Sequence, residues 1–265
     1  MKPLSVAMAA CLCLAACREQ AQTHLARGNV LQNQGKTDEA VAEYEAAAKE
    51  DPNLSAPWLR LGNLFSDQGK KEQALAAYRQ ATARNPGQLD AWIGMARAQS
   101  EQGHDSDARA SLTRALDVEP RNLYARLSRA QLALRDGDVQ AALDDAKLAS
   151  HQDDKDLSGL YVYGAAMAAA KDYTGAAAAF DRLASLDAAS PFAAYGRARL
   201  LLAQGDRAGA IRQLEMVVGL EPKQREAIAA DAVFGALHGD AQFDKDFGVA
   251  DGGLTRPAPR PSDGG

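Results

Sequence analysis

Cysteine is nearly absent from this chain: Cys11, Cys13 and Cys17 all fall within the first 17 of 265 residues. Past that point no disulfide can form and no thiol is present for catalysis or metal binding. Histidine is equally sparse. His24, His104, His151 and His238 share no ligand spacing, so the sequence offers no zinc site. The formal net charge of −5 lacks the basic excess that nucleic acid or an anionic membrane surface would call for. After residue 17 there is no apolar run of 18 residues, so no spanning helix follows the leader. Gly-rich phosphate loops and nucleophile elbows are missing as well. The adjacent carboxylates Asp144-Asp145 and Asp153-Asp154 read as solvated surface. Catalysis, cofactors and a small-molecule substrate are therefore not expected.

What is present is a period of 34 residues. Glycine falls at Gly35, Gly69, Gly103, Gly137 and Gly205, with Lys171 the one break, and alanine falls at Ala40, Ala74, Ala108, Ala142, Ala176 and Ala210. Proline recurs at Pro52, Pro86, Pro120 and Pro222. Glycine is 22 of 265 residues, so five in six equivalent places has a chance on the order of 10⁻⁵.

One unit explains the spacing. Trp58, Leu61, Gly62 and Phe65 lie at i, i+3, i+4 and i+7, one stripe of a helix, and Ala74, Tyr78 and Ala81 repeat the stripe on a second helix. Gly69 ends the first helix and Pro86 ends the pair. A single hairpin cannot bury its apolar face, whereas stacked copies can. The copies are 21–54, 55–88, 89–122, 123–156, 157–190 and 191–224. This pattern resembles the tetratricopeptide repeat family, matched by Trp58-Leu61-Gly62-Phe65, Ala74, Tyr78, Ala81 and Pro86. The resemblance implies an all-α fold, a right-handed α-solenoid, and a binding scaffold whose partner is another protein. Arg27, Arg129 and Arg197 depart from the seventh column, and His24 and Arg126 from the fourth.

In that family the first helices line a groove. The resemblance carries its positions onto Asn29, Asn63 and Arg97 in the first half, and onto Tyr124, Leu127, Tyr161, Phe192, Tyr195 and Arg199 in the second. Asn suits an extended peptide backbone, and the aromatic set suits an interface anchor. The carboxylate-gripping subtype is a poor match. Its positions hold Leu25, Asn29, Arg60, Asp90 and Gly94, and only Asn29 agrees.

The ends complete the expectation. Met1-Lys2 and the apolar stretch Leu4–Leu14 read as a signal peptide over 1–16. Leu14-Ala15-Ala16-Cys17 resembles a bacterial lipobox with Cys17 as the acylated residue; the alternative is an ordinary signal peptide with Cys17 incidental. Residues 17–20 would be anchor and tether, with a reach of roughly 14 Å at full extension. Arg18, not Asp, follows the cysteine, which implies an outer-membrane, periplasm-facing anchor. Residues 225–238 read as one capping helix with the stripe Ala227, Ala230, Phe234 and Leu237. Residues 239–265 read as a disordered tail, with Pro257, Pro259 and Pro261 in its last part. The whole reads as an envelope scaffold or assembly factor. Pilotin lipoproteins of type IV pilus secretins and adaptors of cell-wall enzymes look alike at this level.

Overall fold

The computed structural model describes residues 3–248, with side chains from residue 16 onward. Within these, all regular structure is helical. The architecture is an α-solenoid of successive helix hairpins. First come α1 (Pro3–Asn33) with α2 (Thr37–Glu50), α3 (Ser55–Asp67) with α4 (Lys71–Arg84), and α5 (Leu89–Glu101) with α6 (Asp105–Val118). Then follow α7 (Leu123–Asp136) with α8 (Val139–Gln152), α9 (Leu157–Ala169) with α10 (Tyr173–Leu186), and α11 (Pro191–Ala203) with α12 (Arg207–Leu220). Two compact units result, one ending at Leu132 and one beginning at Ala133. In the first, α3 packs on α4 and also on α5; in the second, α9 packs on α10 and also on α11. First helices of neighbouring copies thus lie side by side within each unit. No helix among the described residues is long and apolar enough to cross a membrane.

The glycine column has a backbone cause. Gly35, Gly69, Gly103, Gly137 and Gly205 all have φ between 71° and 86°, the left-handed region that lets the chain reverse after each first helix. Lys171, the break in the column, adopts the same conformation at φ 64°. The turn geometry is retained there and the side chain bears the strain.

A second relation sets how closely helices approach. Tyr78 on α4 fills the space that a Cβ would take at Gly62 (2.6 Å) and at Gly94 of the next hairpin (2.5 Å). Phe180 on α10 does the same at Gly164 (2.6 Å) and Gly196 (2.3 Å). Two of the three copies without a ring compensate in the sequence. Ala96 stands where Gly62 does and Leu112 where Tyr78 does; Ala198 and Leu214 repeat the exchange, and volume is conserved across those pairs. The fourth copy has alanine at both places, Ala130 and Ala146. Tyr78 and Phe180 are essentially fully buried.

The arginines that depart from the family pattern find partners. Arg197 Nη2 donates to Asp181 Oδ1 at 2.6 Å, and Arg129 Nη1 to Thr113 Oγ1 at 3.0 Å, each reaching the preceding hairpin. Arg126 donates to the Pro120 carbonyl, as Trp92 Nε1 does to the Pro86 carbonyl at 2.8 Å one period earlier. His24 Nδ1 hydrogen-bonds Glu43 Oε2 at 2.6 Å.

Three expectations at the ends are corrected. Arg18, Glu19 and Gln20 are not an extended tether but belong to α1, which is continuous from Pro3 to Asn33. Residues 225–238 are not one helix. A 3₁₀ turn (Pro222–Gln224) leads into α13 (Arg225–Ala230), the backbone extends at Asp231, and a 3₁₀ helix follows over Ala232–Leu237. The break moves the buried set to Ile228, Ala229, Phe234 and Leu237, leaving Ala227 and Ala230 exposed. Nor is the chain from 239 structureless as far as 248. Gly239 turns at φ 86° and Asp240 caps α14 (Ala241–Phe247), whose Phe243 and Phe247 join the core of the second unit. These positions keep the 34-residue register: Gly239 follows Gly205, and α14 starts one period after α12. A seventh, shortened hairpin therefore follows the sixth. The remainder of the expected tail, residues 249–265, lies outside the described residues.

Candidate functional site

The second unit brings four of the expected residues together. Phe192, Tyr195 and Arg199 stand at i, i+3 and i+7 on α11, one stripe of a helix. Tyr161 projects from α9 beside them. Its ring centroid lies 5.9 Å from Phe192, 6.3 Å from Tyr195 and 6.2 Å from Phe180. Arg199 Nη1 donates to the Tyr161 hydroxyl at 3.0 Å. Phe192 is 49% exposed, so the cluster ends in an aromatic surface open to solvent.

Two residues outside the expected groove set hold this cluster in place: Asp231, and Phe234 of the expected capping stripe. The Tyr195 hydroxyl donates to Asp231 Oδ2, and the Tyr195 ring meets Phe234 edge-on at 5.3 Å. Asp231 Oδ1 in turn accepts from Val233 N at 2.9 Å, capping the 3₁₀ helix. Burial, and then the Asp231 carboxylate, push the Tyr195 hydroxyl far above the usual tyrosine range. At Arg199 burial works against the charge, and the neighbouring Tyr161, Tyr195 and Asp231 more than offset it. The cluster thus holds a neutral phenol and a firmly charged guanidinium. Phe234 was expected in the apolar stripe of the cap, and it stands one period after Leu200, a buried position; Asp231 was not expected at the site.

In the first unit the outcome is different. Asn29 and Asn63, expected to face a partner backbone, have their carbonyl oxygens occupied. Tyr44 Oη lies 2.9 Å from Asn29 Oδ1 and 2.7 Å from Gln32 Oε1, and the Tyr78 hydroxyl donates to Asn63 Oδ1 at 2.8 Å. Burial raises both tyrosine pKa values. These asparagines satisfy buried phenols instead of presenting free acceptors. Arg97 is exposed and its Nη2 donates to Ser66 Oγ at 2.9 Å. Leu127, expected in the groove, is only 8% exposed and belongs to the interior, while Tyr124 on the same helix is 55% exposed.

The arrangement offers aromatic faces and one cation, a recognition chemistry suited to an apolar or aromatic segment. Among the described residues no group of three His, Cys, Asp or Glu side chains is placed to hold a metal ion.

Comparison with known proteins agrees with the repeat fold. Tetratricopeptide repeat profiles match residues 21–54 and 67–132. A search of curated proteins returns no match. Among solved structures, a tetratricopeptide repeat protein from Parabacteroides merdae superposes with a TM-score of 0.70 at 18% identity, covering 87% of this chain and 91% of its own. Pseudomonas aeruginosa PilF gives 0.60 at 17% identity, covering 78% and 94%. YrrB, described as a tetratricopeptide repeat protein with an unusual peptide-binding site, gives 0.56 at 19% identity, covering 71% and 96%. Repeat register, turn geometry and these matches agree: the chain is a tetratricopeptide repeat protein, a family of protein-interaction scaffolds.

Proposed function

We propose that this chain is a lipid-anchored scaffold of a bacterial envelope that captures a segment of another polypeptide on its first-helix face and does no chemistry of its own. The observation that carries the reading is the Tyr161–Phe192–Tyr195–Arg199 cluster, a rigid aromatic surface locked from behind and half-open in front. Such pre-ordered anchors bind at low entropic cost. Cys17 would carry the lipid, on the periplasmic side of the outer membrane. Because Arg18–Gln20 are helical, they hold the first hairpin within roughly 5 Å of the anchor along the axis. The lipid would then raise the local concentration of the captured partner at the bilayer.

The test is a photo-cross-linker at Phe192 in whole cells, with Arg199→Ala as the control. A captured polypeptide that disappears with Arg199→Ala supports the reading; equal capture from Phe192 and from an exposed second-helix site such as Arg79 rejects it. The same cross-link separates the narrower forms, a pilotin-like helper of a pilus secretin or an adaptor of a cell-wall enzyme, by what is captured. Fatty-acid labelling that survives Cys17→Ser would remove the anchor.

A further inference from the structure

A groove of about 620 Å³ lies in the first unit, lined by α4, α5 and α6. α5 supplies Trp92 and Met95, α4 supplies Arg79, and α6 supplies Arg114, Asp117 and Val118. Met95 is buried, Trp92 is half-buried and Val118 is 39% exposed. The preceding period shows how the chain closes such a place with its own residues. There Trp58 stands where Trp92 does, and Pro52 where Pro86 does. The Arg84 guanidinium lies over the Trp58 ring, 5.0 Å from its centroid. It donates from Nε to the Pro52 carbonyl at 2.5 Å and from Nη1 to Gln80 Oε1 at 2.5 Å.

One period on, three exchanges undo that closure. Val118 stands in the column of Arg84, Arg114 in that of Gln80, and Arg79 in that of Glu45. The covering cation is replaced by a short apolar side chain, and two wall positions change from acceptor to cation. Asp117 Oδ2 accepts from Arg114 Nη1 at 3.4 Å. Among the described residues Arg79, which is exposed, has neither a hydrogen bond nor an ion pair. The lining thus carries one more cation than acid, beside an aromatic face that its own chain leaves uncovered.

We infer that this groove is a second docking site, for a segment of another polypeptide that carries an aromatic side chain next to a carboxylate. The aromatic ring packs on Trp92 and Val118, and the carboxylate meets Arg79. The charge of the lining selects that sign: a free guanidinium pairs a carboxylate through two parallel N–H donors, whereas a basic segment would face Arg79 uncompensated. Trp, Met and Arg are also the residue types that interfaces favour. The site is independent of the Tyr161–Phe192–Tyr195–Arg199 cluster, which belongs to the second unit. A cross-linker at position 79 replaces the free cation, so it disables this groove and stays a fair control for capture at Phe192.

The chain has two tryptophans, so the full chain carrying Trp58→Phe reports on Trp92 alone. The probes are three capped hexapeptides, alternating phenylalanine with aspartate, phenylalanine with lysine, and serine with aspartate. The expected result is a saturable change in Trp92 emission with the first peptide, at an affinity at least fivefold above that of the other two. Arg79→Glu, an exposed substitution that leaves the core untouched, should reverse the preference between the aspartate and lysine peptides. Calorimetric titration of the native chain repeats the comparison without the Trp58 substitution. Equal response to the aspartate and lysine peptides, no saturable binding, or a preference unmoved by Arg79→Glu would overturn the proposal.

Discussion

Tyr78 rests against Gly94 so closely that a Cβ on that glycine would lie 2.5 Å from the tyrosine ring. The contact joins α4 of one hairpin to α5 of the next. Gly94→Ala should therefore destabilise the first unit by about 1–2 kcal/mol, even after the ~1 kcal/mol that alanine gains in a helix. Urea unfolding measures this. The double variant with Tyr78→Leu should show a favourable coupling of about 1 kcal/mol or more, because the smaller side chain vacates the space. Strict additivity would mean the contact is not what limits the approach.

Lys171 holds a left-handed conformation at φ 64° where its five equivalents are glycine. Lys171→Gly should stabilise the second unit by roughly 0.5–1 kcal/mol, the relief of strain exceeding the added freedom of the unfolded chain. A lower melting temperature for this variant would contradict the assignment of strain.

The turns before the second helices differ in their caps. Asp206 Oδ1 accepts from Gly209 N at 2.8 Å, while His104, two periods and a further 34 residues earlier, makes no capping bond. Asp206→Ala should lower stability by about 1 kcal/mol and His104→Ala should change it little. Equal effects at the two sites would remove the cap from the account.

Tyr195 keeps its proton in the folded state well above the pH at which an unfolded tyrosine, near 10.0, releases it. Its contribution is fully present below pH 10 and declines as pH rises beyond that, since the unfolded chain then binds fewer protons than the native one. Stability should fall more steeply above pH 10 in the native chain than in Tyr195→Phe, measured by urea unfolding at several pH values. Parallel profiles would show that the phenol is not held neutral by Asp231.

Phe192 is half-exposed, so Phe192→Ala should leave the unfolding midpoint nearly unchanged. Partner capture should nevertheless weaken about tenfold, equivalent to about 1.4 kcal/mol. Intact capture by this variant would place binding elsewhere on the molecule.

Much of this architecture could be read before any coordinates. The glycine and alanine columns located every second helix, and Thr37, Lys71, Asp105, Val139, Tyr173 and Arg207 begin them at intervals of 34. The aromatic stripe on α11 was visible for the same reason, since periodicity fixes which side chains share a face. What periodicity does not report is which polar atoms satisfy one another. Asn29 and Asn63 looked available because their partners, Tyr44 and Tyr78, lie 15 residues away on the other helix of the hairpin. The exchange of Gly and Tyr for Ala and Leu was present in the columns, but only the close approach gives it meaning. The seventh hairpin was overlooked because Asp244 stands where the alanine column would continue and composition turns polar, although Gly239 and Asp240 kept the register. Asp231 breaks the last first helix, and no helical periodicity could anticipate its bond to Tyr195.

The shared rings have a mechanical consequence. Tyr78 packs on residues of the second and third hairpins, and Phe180 on residues of the fifth and sixth, so the third hairpin cannot leave the second, nor the sixth the fifth, without uncovering one face of a buried ring. Pulled from its two ends, the molecule should lengthen in unequal jumps, with these pairs yielding together and not as a ladder of identical steps.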